Sequence, residues 1–115
     1  MKDTVETLKQ TRDFLDKHGW TRGALARDFH GNQVTHDSAS AACYCLLGAL
    51  VRVCPESESV RFFRARNALD GEVFRSINLC GAGINAAYWN DAEAKDKADV
   101  LAFIDRTIAY EEKQK

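Results

Sequence analysis

Ala39-Ser40-Ala41-Ala42-Cys43-Tyr44-Cys45-Leu46-Leu47-Gly48-Ala49-Leu50-Val51 is the stretch on which the fold turns. It carries no charge and is too short to cross a bilayer, which takes about 20 apolar residues in a helix. Asp37 and Ser38 ahead of it are good helix caps. Pro55 closes it, because the residue before a proline avoids helical geometry. These signals predict a helix over about 38–54. A helix that is apolar on every side is buried on every side. The expected fold class is therefore all-α, a single-domain bundle of four or five helices around this central one. Gly48 and Ala49 give a neighbour room to approach it closely.

Working outward, Val5, Leu8 and Leu15, with Phe14 beside them, make an apolar stripe at helical spacing. Asp3 and Glu6 have the spacing of a capping box at its start, and Gly19 follows Lys17 and His18 as a helix stop. Thr21 to Arg27 has room for one or two helical turns around Leu25. Gly31-Asn32, between Phe29 and Val34, is a turn signal that permits a short hairpin near 29–34. Beyond Pro55, a helix should follow Ser57 or Ser59 and stop at Asp70-Gly71. Residues 73–89 fit either a helix or a strand. The last helix should start at Asn90, with Glu93 completing an Asn-x-x-Glu box and Asp91 at the positive end of the helix dipole. Asp96 offers a second start if that helix kinks.

The 115 residues suit one domain, and sixteen basic residues nearly balance seventeen acidic ones. A net charge of −1 provides no field to draw nucleic acid or an anionic membrane. Arg61, Arg64, Arg66 and Arg75 are interleaved with Glu56, Glu58, Asp70 and Glu72, which reads as a solvated helix face rather than a nucleic-acid surface. Lys2 is not followed by the apolar run of a secretory signal, so a cytoplasmic location and reduced cysteines are expected.

Cys43-Tyr44-Cys45 raises the question of a metal, with His30, His36, Cys54 or Cys80 completing the set. Thiols two positions apart on a helix diverge, whereas paired zinc cysteines usually have two to four residues between them on a turn. Neither a metal nor a cofactor is expected. A nucleophilic cysteine needs a base and a lowered pKa. Cys45 lies in the most apolar part of the chain, which favours an inert core thiol. Gly81-Ala82-Gly83-Ile84-Asn85-Ala86 matches a dinucleotide-binding pattern, but the chain has no space there for the helix and second strand that such a unit requires.

Three pieces of sequence carry a resemblance. They are Gly19-Trp20 with Gly23-Ala24-Leu25-Ala26-Arg27-Asp28, then Cys45-Leu46-Leu47-Gly48-Ala49-Leu50, then Trp89-Asn90-Asp91 with Val100-Leu101 and Asp105-Arg106. In this order the chain resembles an uncharacterised family of small proteins from bacteria and their phages. The segment around Gly81-Ala82-Gly83 looks like an insertion relative to that family. The resemblance implies a small helical fold and brings no activity with it.

Two function classes remain. The first is a small accessory domain that acts by macromolecular interaction. Its expected surface is the far side of the last helix. Leu101, Ile104 and Ile108 share an arc that should face the core, and Phe103 and Tyr110, seven residues apart, point the other way. That pair implies either an unusually wide buried arc, with Val100 and Thr107 bridging the two faces, or an exposed stripe that meets a protein partner or a second copy in a two-fold dimer, and the interface is the reading taken. The second class is a small-molecule or enzymatic site near the start of the last helix. Trp20, Cys45, Trp89, Asn90 and Asp91 would line it, with Asp91 as acid or base.

Overall fold

The computed structural model describes residues 2–55, 58–77 and 85–114. The chain runs through α1 (Lys2–Lys17), β1 (Gly19–Trp20), β2 (Ala26–Arg27), β3 (Gln33–Val34), β4 (Cys43–Tyr44), α2 (Leu46–Val53), α3 (Ser59–Ile77) and α4 (Ala86–Tyr88). A π-helical turn over Trp89–Glu93 and then α5 (Lys97–Lys113) complete it. The Gly-Ala-Gly segment falls in 78–84, outside the described residues.

The all-α expectation is wrong. Alongside the helices lies a four-stranded mixed sheet in the order β1-β4-β2-β3. β4 pairs parallel with β1 and antiparallel with β2, and β2 pairs antiparallel with β3. The helix expected over 38–54 is only α2. Ser38 sits in turns, its hydroxyl 2.9 Å from that of Ser40. Cys43 and Tyr44 form an inner strand, flanked by β1 and β2. A strand flanked on both sides can be as free of charge as a buried helix, so lack of charge alone does not separate the two. The cap was hidden as well. Cys45 starts α2, its Sγ accepting from the backbone N–H of Gly48 at 3.2 Å, and cysteine is not among the residues read as caps.

The hairpin is real but wider than 29–34. It pairs Ala26 with Val34 and Arg27 with Gln33, so Phe29 belongs to its tip and not to a strand. Residues 22–25 are bends rather than helical turns, and they press against α2. An added Cβ on Gly48 would sit 2.0 Å from the Leu25 carbonyl oxygen. That same carbonyl accepts from the backbone N–H of Cys45 at 3.1 Å.

α1 buries more than its apolar stripe, because Thr4, Thr7 and Thr11 complete the inner face. Thr11 does so with its hydroxyl on the Thr7 carbonyl at 2.9 Å, which satisfies the buried polar atom within the helix. α1 packs on α2, α3 and α5, and α3 packs on α5. α3 runs through the expected stop at Gly71 because Glu72 and Val73 are buried behind it. Propensity loses about 1 kcal/mol at a helical glycine, less than the packing of one buried side chain supplies.

The last helix begins at Asp96, whose carboxylate accepts from Asp99 N–H, while Asp99 accepts from Lys95 N–H, each at 2.9 Å. Asn90 does not cap it. Its buried arc is Val100, Phe103, Ile104, Thr107 and Ile108, so Phe103 belongs to the core and Leu101 is only half-buried. Phe103 stacks on Trp89 at 4.0 Å between ring centroids.

Glu72 joins α3 to α5. Its carboxylate takes Arg75 at 2.9 Å, Ser76 at 2.6 Å and Arg106 at 3.1 Å. Burial alone would raise its pKa, but the bonds from Ser76, Arg106 and Arg75 outweigh it and hold the group below the usual glutamate range.

Gly48→Ala should lose about 3 kcal/mol in urea unfolding, because the new methyl has only backbone to push against. Gly31→Ala, in open space at φ +84°, should lose only about 1 kcal/mol, from the left-handed backbone. Glu72 has a lowered folded-state pKa, so its contribution is present above the unfolded value of about 4.3 and is lost as pH falls through the folded one. Stability measured between pH 6 and 3 should therefore fall less steeply for Glu72→Gln than for the wild type; equal slopes would remove Glu72 as the cause.

Candidate functional site

Of the five residues expected to line a site near the last helix, Trp20, Cys45, Asn90 and Asp91 come together around the Asn90 amide, while the Trp89 ring turns into the core against Phe103. The Asn90 Oδ1 accepts from Trp20 Nε1 at 2.7 Å and from the backbone N–H of Leu46 at 3.0 Å. Its Nδ2 donates to the Thr21 carbonyl at 3.3 Å and to Asp91 Oδ1 at 2.9 Å. Two accepted and two donated bonds exhaust a side-chain amide. Asn90 is 1% exposed. It therefore serves as a joint between β1, α2 and the π-helical turn, with no bonding capacity left for a ligand.

The π-helical turn makes this possible. Trp89 and Asn90 are neighbours in sequence and both are buried. The wider i→i+5 winding shifts the side chains relative to an α-helix, so Trp89 reaches Phe103 while Asn90 reaches Trp20. Asp91 stays exposed, and its Oδ1 also accepts from Gly23 N–H at 3.0 Å. Gly23 has φ +79°, a conformation that L side chains other than asparagine and aspartate rarely adopt.

Cys45 closes the inner end of the cluster. Burial pushes its thiol above the ordinary range, and the nearby Asp91 carboxylate adds to this, although the Gly48 and Leu47 amides pull the other way. A raised pKa is the reverse of what a nucleophile needs. Cys54 is raised too, chiefly by burial. Among the described residues no three of His, Cys, Asp and Glu gather where they would hold a metal ion.

The expected interface on the last helix loses half of its pair, since Phe103 is fully buried. Tyr110 is 38% exposed, with the Arg75 guanidinium 3.5 Å above its ring centroid.

Sequence reading gave Phe29 only a place beside a turn. In the structure Phe29 is 93% exposed at the tip of the β2–β3 hairpin. Asp28 locks that tip, its Oδ1 accepting from both His30 N–H and Asn32 N–H at 2.9 Å. Arg27 braces it from behind through the Gly31 carbonyl at 3.0 Å. The sequence signal was limited to the Gly31-Asn32 turn, which places Phe29 beside a loop tip without saying which way its ring faces.

Taken together, the chain is a small α+β domain, a helical bundle pinned to a short mixed sheet by one asparagine. It belongs to a family of unknown function (DUF6197), whose model matches residues 1–110. No curated protein and no solved structure matches it. No helix among the described residues is long and apolar enough to cross a membrane.

Asn90→Ala should cost about 3 kcal/mol or more in urea unfolding, because it strands the Trp20 and Leu46 donors in a dry interior. A loss near 1 kcal/mol, the usual value of a simple cap, would show that water satisfies them instead.

Proposed function

We propose that this chain is an accessory domain that acts by binding another macromolecule, with the ring of Phe29 as its anchor. The observation that carries the reading is the combination of full exposure and a locked tip. A phenylalanine ring held in water gains favourable free energy only when something covers it; burying it offers about 3 kcal/mol. A mobile tip would lose much of that gain to ordering, whereas the Asp28 and Arg27 bonds have already fixed this one. Anchors of protein interfaces are typically aromatic side chains that enter a pocket on the partner. A rigid scaffold presenting a functional loop is the common arrangement.

The test is a photo-crosslinking analogue of phenylalanine at position 29, used in cells that naturally carry the protein. A discrete adduct should form, and excess wild-type protein should suppress it where excess Phe29→Ala does not. Phe29→Ala itself should unfold within about 0.5 kcal/mol of the wild type, since the ring touches no core. Equal competition by both proteins, or no adduct beyond that of a control position on the exposed face of α5, would remove Phe29 as the anchor.

A further inference from the structure

A cavity of about 460 Å³ opens between the loop after β3, the end of α2 and the start of α3. Sites for small molecules run from about 300 to 1,000 Å³, mostly apolar with a few polar groups at the edge. Val51, Pro55 and Phe62 provide apolar lining here, and Arg52 and Asp37 bring opposite charges to it. Both charged residues are exposed, and among the described residues neither enters an ion pair. They still sense each other. The Asp37 carboxyl is held below its ordinary range first by Thr35, then by its own backbone N–H, with smaller contributions from His36 and Arg52.

Two unlike charges that share a rim without meeting select for a ligand carrying both. A purely anionic ligand on Arg52 would be repelled by Asp37, and a purely cationic one on Asp37 would be repelled by Arg52. The apolar lining favours a hydrocarbon body over a polar one. His36 lies in the same lining, and its Nδ1 is shut off from water with no hydrogen-bond partner in the structure. An ammonium group beside Asp37 would satisfy it in the tautomer whose Nδ1 accepts.

We propose that this cavity binds a small zwitterion with an apolar side chain, an α-amino acid of about the size of leucine. Its carboxylate lies on Arg52, its ammonium on Asp37, and its side chain against Val51, Pro55 and Phe62. The site is independent of the Phe29 tip, and each can fail without the other.

The test uses the full, isotopically labelled chain and three probes: L-leucine, leucine amide, which lacks the carboxylate, and 4-methylpentanoate, which lacks the ammonium. L-leucine should give saturable shifts at the Val51, Arg52 and Phe62 amides. Each truncated probe should bind about tenfold more weakly or worse, as expected when one charge-assisted contact is removed. Arg52→Gln and Asp37→Asn, both at exposed positions, should melt like the wild type yet each weaken L-leucine about tenfold. The proposal is overturned if L-leucine gives no saturable shift. It is equally overturned if a truncated probe binds as tightly as L-leucine, or if both variants bind L-leucine as the wild type does.

Discussion

Most of this structure depends on where the Asn90 amide oxygen finds its donors. An α-helix leaves its first N–H groups unpaired, and in a dry interior each must find an acceptor. α2 begins at Leu46 in the centre of the molecule, where water is not at hand. Cys45 supplies one acceptor locally, and Asn90 supplies another from the far end of the chain. The same oxygen takes the Trp20 indole. One atom thereby ties the end of β1, the start of α2 and the π-helical turn into a single arrangement. Lose the amide, and two donors of different elements are stranded together.

Close backbone approach does the rest. The Leu25 carbonyl lies over Gly48, where no side chain fits, and Gly23 turns left-handed to reach Asp91. The 22–25 bends are thus clamped between α2 and the π-helical turn. This explains why the three pieces of sequence that carried the resemblance belong together. Far apart along the chain, they meet around Asn90 and Gly48. Asp105 and Arg106 extend the pattern outward, Asp105 pairing with Arg12 of α1 at 2.6 Å and Arg106 with Glu72 of α3. Lys97 adds another link, donating to the Asp16 and His18 carbonyls that α1 leaves open at its end, each at 2.8 Å.

Such a rigid interior leaves function to the periphery. The residues first suspected of chemistry are those most occupied with structure: Asn90 is saturated, Trp89 is stacked in the core, and Cys45 is a cap with a raised pKa. The hairpin tip and the cavity at the end of α2 lie on connecting segments outside this knot. There, side chains can face a partner or a ligand without disturbing the Asn90 network.

The sequence by itself determined that α1 is an amphipathic helix with Val5, Leu8 and Leu15 inward. It determined that Gly48 marks a close approach and that Asp96 can restart the last helix. Each of these is written in local spacing or residue type. Three matters were decided only by tertiary structure. Cys43 and Tyr44 became a strand because β1 and β2 lie on either side of them, and an uncharged run looks the same in either setting. Asn90 became the cap of a different helix, because the partner of a side-chain amide need not be near in sequence. Phe103 turned inward because the buried arc of α5 spans Val100, Phe103, Ile104, Thr107 and Ile108, with Leu101 at its edge and Trp89 stacked on the Phe103 ring, whereas the angular pattern alone also allowed a second, exposed face. Local periodicity records which residues avoid water; it does not record which neighbour removes them from it.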